Sequence, residues 1–393
     1  MKKKILFMMI NMNIGGTEKA LLNMLEEIDE KKYNVTVMML EEYGGFLNDI
    51  PNWVKIKYFE NYSDIKEILN MPPQVTIKKL IKQWNFIDAF NIAYIHLLSK
   101  IKKERSIFFE YVLKNYKNID EEYDLAVAYA GPMDFISYYV INKIKAKKKI
   151  QWIHFDVTKI GFNKVFAEKV YSKFDKIFVV SNEAKNKLDN LVPSLKYKTE
   201  VFFNIISPKT MTKMAKESIG FDDDFDGIRI LTVGRLAEEK GQDLTIPVLA
   251  KLKEEGYNVR WYCIGEGNLR LELEELIRKY KLEKDYILLG SNSNPYPFMK
   301  DCDRYVQPSR YEGYCITTLE VKYFNKVIIA TEVNGMNEQI KNNINGLIAK
   351  ISSDSIYKNI KLLLDDEQKK KKIIENLKKE EVDTGKAIVK LFV

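Results

Sequence analysis

The sequence contains few of the residues that build disulfide frameworks and metal centres. Its 393 residues include three cysteines and two histidines. The cysteines, Cys263, Cys302 and Cys315, are odd in number and lack the paired spacing of a metal site. This pattern excludes a disulfide scaffold and is typical of a reducing compartment.

Long apolar runs are also missing. No stretch approaches the roughly 18 to 20 apolar residues that a membrane span requires. The opening MKKKILFMMINMNIGG has a basic tip and an apolar run, but Asn11 interrupts that run and no A-x-A cleavage signal follows. We interpret it as the first buried strand. We expect a cytoplasmic protein, with attachment to the inner face of the cell membrane left open.

Charge of one sign is not concentrated enough for a nucleic-acid-binding protein. Lys and Arg number 63 against 55 Asp and Glu, a dispersed net charge of +8. This balance favours anionic substrates or an anionic membrane surface. The length exceeds that of a single hydrophobic core, and the 46% of hydrophobic residues can fill two. We therefore expect two domains.

Short apolar strands alternate with helical segments, which predicts parallel sheets that bind ligands at the carboxyl ends of their strands. The predicted strands are 5–10, 35–40, 125–130, 149–153, 177–180, 228–233, 259–264, 286–289, 305–306 and 327–330. The acidic stretch FDDDFD before Gly227 reads as a linker between two such sheets.

Two features of the first half lie at predicted strand ends. Gly15 and Gly16 open an amphipathic helix and leave room for a ligand at its amides, although a steric role in a tight turn is equally open. The third glycine of a dinucleotide fingerprint is absent. His154 follows the strand 149–153 and is expected at the same sheet edge.

Polar loops follow the strands of the second half as well. The segment G-R-L-x3-K-G places Arg235 and Lys240 after a strand, where two cations can neutralise a diphosphate. A G-E-G turn, an N-P-Y-P segment and the loop P-S-R-Y-E-G-Y follow later strands. A helix is predicted to begin near Ile316, and its first amides can bind an anion.

The E-G-Y-x5-E segment from Glu312 to Glu320, together with G-R-L-x3-K-G, resembles the E-x7-E signature of retaining group 1 glycosyltransferases with the GT-B fold. The resemblance is specific over residues 228–348. It implies an α/β protein of two Rossmann-like, doubly wound domains that face a central cleft. Residues 1–206 would bind the acceptor, residues 207–375 would bind a nucleotide sugar, and a C-terminal helix of about 376–393 would pack back on the first domain.

The resemblance also implies roles for individual residues. Glu312 would lie by the donor sugar, Glu320 would hold the ribose, and Arg235 and Lys240 would neutralise the two phosphates. The implied catalytic residues are Glu312, His154, Arg235 and Lys240. The implied donor-binding residues are Gly15, Gly16, Arg235, Lys240, Gly265, Gly267, Asn294, Pro295, Tyr296, Gly313, Tyr314, Cys315, Ile316, Thr317, Thr318 and Glu320. Gly335 and Glu338 stand in positions that the family also uses.

The implied activity is that of a retaining hexosyltransferase. It would move a sugar from a nucleotide diphosphate donor, expected to be a UDP-sugar, to a glycan or lipid-linked acceptor in bacterial capsule or surface-polysaccharide synthesis. No carboxylate is placed as a covalent nucleophile, so the implied mechanism is front-face displacement. Two D-x-D segments, 222–224 and 301–303, lie in the linker and on the wrong side of the sheet, so we expect no metal and no cofactor. A catalytically inactive GT-B partner subunit and a sugar-nucleotide epimerase of similar shape stay open as alternatives.

Residues 75–118 interrupt the strand–helix alternation. They contain nine Lys or Arg residues against three acidic residues, with aromatic residues interleaved. Such a segment is typical of a helix that lies on an anionic membrane. The alternative is an ordinary helical pair packed on the sheet with a solvated basic face.

Overall fold

The computed structural model describes residues 2–159, 161–381 and 385–392, and in them the chain forms two compact α/β units. The first unit is built from Met1–Met12, Asp29–Val180 and Ala184–Val201. The second is built from Asn13–Ile28, Ser181–Glu183 and Phe202–Val393. The first long helix after the opening strand therefore belongs to the second unit.

The strands are β1 (Lys3–Met9), β2 (Tyr33–Met39), β3 (Lys55–Tyr58), β4 (Ile119–Gly131), β5 (Ile144–Ile153), β6 (Lys176–Val179), β7 (Thr199–Val201), β8 (Ile228–Val233), β9 (Val259–Ile264), β10 (Tyr286–Gly290), β11 (Arg304–Gln307), β12 (Val327–Thr331) and β13 (Leu347–Ala349). The α-helices are α1 (Gly16–Glu27), α2 (Tyr62–Asn70), α3 (Pro73–Lys82), α4 (Phe86–Ile101), α5 (Ser106–Val112), α6 (Asp134–Lys143), α7 (Lys164–Val170), α8 (Asn182–Leu191), α9 (Pro208–Met214), α10 (Ile246–Glu254), α11 (Arg270–Lys279), α12 (Tyr296–Asp301), α13 (Ile316–Tyr323), α14 (Met336–Gln339), α15 (Ser353–Asp365), α16 (Glu367–Lys378) and α17 (Gly385–Val389).

The first unit contains a parallel sheet with the strand order β3-β2-β1-β4-β5-β6-β7. The last five residues of β1, Ile5 to Met9, are all buried because helices cover both faces of such a sheet. Strand order reverses between β1 and β4, so the loops after these two strands flank a switch point.

The second unit contains a parallel sheet with the order β10-β9-β8-β11-β12-β13. Its strands are mostly buried, and its switch point lies between β8 and β11. The two Rossmann-like, parallel-sheet domains that the sequence predicts are confirmed. The boundary between residues 206 and 207 stays a prediction.

The C-terminal helix that we expected at about 376–393 corresponds to the end of α16 and to α17. Residues 382–384 and 393 of that segment lie outside the described residues. Helix α17 contacts α1 within the second unit, and packing on the first domain stays a prediction.

Local signals start several helices. Asn85 accepts a hydrogen bond from the backbone of Asp88 at the start of α4, and Asp366 accepts one from Lys369 at the start of α16. Proline stands in the first turn of α3, α9, α10 and α12, where its missing N–H is not needed.

Residues 75–118 form most of three helices, α3, α4 and α5, rather than a pair. The exposed side of α4 is largely apolar, and the exposed lysines stand mainly at its C-terminal end and on α3. Across the described ranges we find no helix with the length and apolarity that crossing a bilayer requires.

Candidate functional site

The loops after β8 and β11 flank the switch point of the second sheet, which is where open parallel sheets bind ligands. The loop after β8 carries Arg235 and Lys240, and the loop after β11 carries Glu312. Three of the predicted catalytic residues therefore lie on two neighbouring loops of one sheet edge.

An ion pair joins these two loops. Lys240 Nζ donates to Glu312 Oε1 at 2.7 Å, and the Glu312 side chain is only 8% exposed. Ser309 Oγ and Gln307 Nε2 donate to the same oxygen at 2.7 and 3.3 Å. Burial lowers the pKa of the Lys240 ammonium, but the Glu312 carboxylate acts in the opposite direction, and the pKa lies above its ordinary value. Lys240 therefore stays protonated at neutral pH.

Arg235 is the more exposed of the two predicted cations. Its side chain is 62% exposed, and its Nη2 donates to Glu239 Oε1 at 2.8 Å. Gln242 Nε2 donates to the Arg235 carbonyl at 2.8 Å and so fixes the turn. Arg235 and Lys240 both stand in the loop after β8, where two cations can bind one polyanion.

The predicted glycines Gly265 and Gly267 pack directly against the backbone of the loop that carries Arg235. A Cβ atom at Gly265, which has a φ of +151°, would lie 2.0 Å from the carbonyl oxygen of Gly234. A Cβ atom at Gly267 would lie 2.2 Å from the carbonyl oxygen of Leu236. Only glycine allows this approach, so both residues act on the site by positioning the loop.

Helix α13 begins directly after the Glu312 loop, and the predicted residues Gly313 to Thr318 form its approach and first turn. Its free amides can bind an anion. The Cys315 Sγ and Thr317 Oγ1 atoms lie 3.0 Å apart. Burial raises the pKa of the Cys315 thiol to about 11, so this thiol is protonated and is not a nucleophile. Tyr314 is partly buried, and its ring packs against Phe203 with centroids 5.3 Å apart.

Helix α14 packs against this helix start. A Cβ atom at Gly335, which has a φ of +70°, would lie 2.7 Å from the carbonyl oxygen of Gly313. The Thr318 hydroxyl approaches the Met336 sulfur at 3.7 Å. Glu338 accepts hydrogen bonds from the backbone amides of Asn182 and Glu183, which belong to the same unit, at 3.0 and 3.1 Å.

Glu320 stands on the buried side of α13, where it is 1% exposed, and Tyr296 Oη donates to its Oε1 at 2.8 Å. The Nζ atom of Lys19 lies 4.7 Å from the centroid of the Tyr296 ring. Burial raises the pKa of the Glu320 carboxyl, while the Lys19 charge and the Tyr296 hydrogen bond act in the opposite direction. Tyr296 is fully buried, and contact of Tyr296 or Glu320 with a ligand stays a prediction.

Asn294 and Pro295 precede α12, on the side of the sheet formed by β9 and β10. Asn294 Nδ2 donates to the carbonyl oxygen of Met214 at 2.8 Å, and its Oδ1 is buried without a hydrogen-bond partner. Pro295 is buried and caps the helix. Contact of these residues with a ligand stays a prediction.

The glycine pair lies at the start of α1, beside the start of α13. Gly15 caps α1 in an extended conformation, and a Cβ atom at Gly16 would lie 3.8 Å from Ile316 Cγ2, an ordinary contact. The sequence prediction missed Glu18, in the first turn. Burial raises the pKa of its carboxyl to about 7, while its own backbone amide and Arg235 lower that pKa.

Lys19 and Glu18 could have been found from the sequence, because both stand in the same glycine turn. What the sequence does not show is that these charged side chains pack into the second unit, where Lys19 is only 7% exposed.

His154 lies in the first unit, at the carboxyl end of β5. Its ring stacks on Trp152, with centroids 5.9 Å apart, and meets Tyr129 edge-on at 4.5 Å. Burial lowers the pKa of the imidazole to about 3, against a hydrogen bond with the Tyr129 backbone that raises it. Its Nε2 is buried without a partner, so a neutral ring has one nitrogen left for a ligand hydroxyl.

Among the described residues, no group of three or more His, Cys, Asp or Glu side chains is placed to hold a metal ion. Within the D-x-D segment of the linker, Asp223 pairs with Arg229 and Arg260 at 2.7 and 2.9 Å. Asp303 of the other segment accepts from the Arg229 backbone at 2.9 Å.

Comparison with known proteins finds a family model that matches part of the second half of the chain. Residues 217–380 match the model of the family "Glycosyl transferases group 1". Over 214 residues the chain is 30% identical to the N-acetylgalactosamine-N,N'-diacetylbacillosaminyl-diphospho-undecaprenol 4-alpha-N-acetylgalactosaminyltransferase of Campylobacter jejuni, covering 53% of this chain and 56% of that protein. The chain thus spans about half the length of the first curated relatives it matches.

Solved structures share the fold over nearly the whole chain. Anabaena HepE in complex with UDP and glucose matches with a TM-score of 0.69 at 17% identity, covering 99% of this chain and 98% of that chain. A variant of S. aureus TarM in complex with fondaparinux, alpha-GlcNAc-glycerol and UDP matches with a TM-score of 0.69 at 15% identity, covering 99% of each chain. The chain therefore has the fold of the GT-B glycosyltransferases, and its residues 217–380 match the model of the group 1 glycosyltransferase family.

Proposed function

We propose that this protein is a retaining glycosyltransferase that moves a hexose from a UDP-sugar to a glycan or lipid-linked acceptor. The observation that carries the proposal is the Lys240–Glu312 pair beside Arg235, at the switch point of the group 1 domain. Breaking the bond between sugar and diphosphate increases the negative charge on the leaving group. Two fixed cations and the amides that start α13 can stabilise that charge.

The donor would occupy the loops of the second unit in a defined order. Arg235 and Lys240 hold the two phosphates. The ribose hydroxyls donate to the Glu320 carboxylate, whose Oε1 atom also accepts a hydrogen bond from the Tyr296 hydroxyl. Asn294 and the neighbouring proline lie by the base. UDP is the proposed nucleotide because the structures of HepE and TarM contain it.

Retention is proposed to proceed by front-face displacement. The departing phosphate oxygen accepts the proton of the acceptor hydroxyl, and the new bond forms on the face that the phosphate leaves. Three donors fix one oxygen of Glu312, and the nearby Cys315 is a protonated thiol, so this cluster offers no free covalent nucleophile. Glu312 would orient the donor sugar. In the first unit, the neutral His154 would accept a hydrogen bond from a sugar hydroxyl.

The acceptor is proposed to be a lipid-linked glycan of bacterial surface-polysaccharide or capsule synthesis. The Campylobacter relative carries a diphospho-undecaprenol acceptor in its name, which supports an acceptor of this chemistry. Such an acceptor is held in a bilayer, so the protein would work from the cytoplasm at the inner face of the cell membrane.

The test measures consumption of UDP-, GDP- and ADP-sugars with and without a lipid-linked glycan. We expect release of UDP that depends on the acceptor, and a product whose anomeric proton, measured by NMR, shows the configuration of the donor. Consumption of donor without any acceptor would indicate the epimerase alternative. Absence of turnover with every donor, despite UDP binding, would indicate the inactive subunit.

A further inference from the structure

Five apolar side chains form a continuous exposed stripe along α4. The stripe consists of Ile87, Phe90, Tyr94, Leu97 and Ile101, with exposed fractions of 76, 70, 51, 55 and 68%. Spacings of three and four residues place these side chains on one face of a helix. The opposite face is packed: Ala89, Ile92 and Ser99 are buried.

Two further aromatic residues extend the stripe at its N-terminal end. Trp84 is 82% exposed and Phe86 is 54% exposed, and their rings meet edge-on with centroids 5.9 Å apart. Isolated exposed apolar residues are ordinary, but a contiguous row of seven marks a surface that binds something.

The charges around the stripe favour an anionic occupant. Five exposed lysines stand next to it, two on α3 and three at the end of α4: Lys78, Lys82, Lys100, Lys102 and Lys103.

Two of the three carboxylates in residues 75–118 are engaged, and the third, Glu110 of α5, is exposed. Asp88, the one acidic residue of α4, accepts hydrogen bonds from Asn85 and Tyr111 at 2.8 and 3.2 Å. Glu104 is 6% exposed and accepts from Lys169 Nζ at 2.9 Å. The surface therefore combines apolar area with a positive border.

The residues beside the stripe do not suit a second helix as the occupant. A helix that pairs along such a seam usually carries charged residues on both flanks. The flanking positions of the α4 stripe are Phe86, Asn91, Ala93, Leu98 and Lys100, of which one is charged. A broad uncharged face with aromatic residues and basic ends is instead typical of a helix in a membrane interface.

The turn after α4 is fixed to the first unit by ion pairs. Glu104 binds Lys169 of α7, and Arg105 Nη1 donates to Asp134 Oδ2 of α6 at 3.2 Å. Arg105 is therefore occupied within the protein, whereas the three lysines of this region remain at the surface. The C-terminal end of α4 is therefore attached to both α6 and α7.

We infer that α4 inserts the stripe into the interface of an anionic bilayer, while the surrounding lysines contact lipid phosphates. The inference adds a mode of attachment to the proposed reaction. Insertion differs from adsorption by charge alone, because apolar burial is not screened by salt. Vesicle binding needs neither donor nor acceptor, so its failure is distinguishable from failure of the proposed transferase activity.

The test is sedimentation with vesicles of phosphatidylcholine plus phosphatidylglycerol. We expect the native protein to pellet, and to stay largely bound in about 1 M salt, where the Debye length is about 3 Å. The variant Ile87→Gln/Phe90→Gln/Leu97→Gln/Ile101→Gln should lose at least about a hundredfold in partitioning, since each buried side chain contributes about tenfold or more. The four residues are exposed, so circular dichroism should show an intact fold.

The matched control replaces exposed apolar residues elsewhere. Ile219→Gln/Leu271→Gln, at positions 77 and 72% exposed, should pellet as the native protein does. Lys100→Gln/Lys102→Gln/Lys103→Gln should bind less at low salt only. Trp84 is the most exposed tryptophan, and brominated lipid should quench its emission; Trp84→Phe should remove that quenching.

Three results would overturn the inference. The native protein could fail to pellet at low salt, or the quadruple variant could pellet as well as the native protein. Alternatively, light scattering could show that the native protein is a dimer and that the quadruple variant is a monomer, while neither protein binds vesicles. That result would assign the stripe to contact with a second copy of the chain.

Discussion

Arg235 and Lys240 belong to one sequence motif, yet their surroundings differ. Lys240 is locked into a buried pair with Glu312, whereas Arg235 is 62% exposed and pairs with Glu239 at the surface. An exposed ion pair contributes little to stability, while breaking a buried one leaves an uncompensated charge. The two substitutions therefore separate binding of phosphate from maintenance of the fold.

Replacing Arg235 by Ala should lower turnover by roughly a hundredfold, because one cation that faces the leaving group is lost. The unfolding temperature should hardly change, since exposed substitutions usually shift stability by less than about 0.5 kcal/mol. Steady-state kinetics with the UDP-sugar and calorimetry measure both quantities. Near-native turnover would contradict the assignment of Arg235 to the diphosphate.

Lys240→Met should lower turnover and also cost about 3 kcal/mol of stability, because Glu312 is left buried and unpaired. The double variant Lys240→Met/Glu312→Gln is the control. It should recover much of the stability and none of the turnover. Recovery of turnover in the double variant would show that Lys240 acts only by neutralising Glu312.

The raised pKa of the Glu18 carboxyl predicts that the stability of the second unit depends on pH. The pKa of this carboxyl is raised from 4.5 to about 7 in the folded state, mainly by burial. A raised folded-state pKa gives stability that is fully present below 4.5 and is lost as pH rises through about 7. The loss is at most about 3 kcal/mol. The side chain of Glu18→Gln resembles the protonated carboxyl, so this variant should not show the loss of stability.

Unfolding temperatures of the native protein and Glu18→Gln, measured between about pH 5 and pH 8, test this point. The unfolding temperature of the native protein should fall below that of the variant as pH rises. Parallel curves for the two proteins would show that the carboxyl is ionised in the folded state at no cost.

Residues of the site that stand in loops at strand ends could be predicted from the sequence, because spacing fixes their place. The burial of Glu320 and Tyr296 could not, since it depends on α1 and α12 packing behind α13. One signal was present: Glu320 follows the buried Ile316 by four residues and shares its helix face.

Among the elements, most of the predicted strands lie within two residues of their observed bounds, since apolar runs of five or six residues are strong signals. The strands β4 and β5 begin six and five residues before their predicted starts, because their first halves, IDEEYD and IKAKKK, are largely polar. The strands β3, β7 and β13 were missed. These strands have three or four residues and lie at the edges of the two sheets. They are too short for a hydrophobic pattern to distinguish them from loops.

The Gly265 turn supports the Arg235 loop, and Gly265→Ala should displace it. The new Cβ atom would lie 2.0 Å from the backbone oxygen of Gly234, and φ is +151°. We expect a loss of at least about 2 kcal/mol of stability and weaker UDP binding by calorimetry. Gly256→Ala is the control, since φ is +85° there but nothing lies within 4 Å of the Cβ.

The control variant Gly256→Ala should lose about 1 kcal/mol of stability through backbone strain, and its affinity for UDP should be unchanged. If Gly265→Ala bound UDP with native affinity, the turn would be dispensable for the site. If both variants lost affinity equally, backbone strain anywhere in the unit would explain the effect.

At the scale of the whole molecule, the chain consists of two units, each with its own parallel sheet and core. Composition and length predicted two domains. The sequence did not predict that α1 belongs to the second unit, because α1 directly follows β1 of the first sheet along the chain. Long-range packing, and not the local pattern, decides where a helix belongs.

The last prediction follows from this division. A ligand stabilises the folded state that binds it, and UDP at 100 times its dissociation constant should contribute about 2.7 kcal/mol. Hydrogen exchange should slow in residues 234–242 and 312–320 and in β8 and β11, whereas β2 and β5 of the first unit should keep their rates. The triple variant Arg235→Ala/Lys240→Met/Glu312→Gln should show no protection by UDP. Equal protection of both sheets in the native protein would mean that the nucleotide is not bound by the second unit alone.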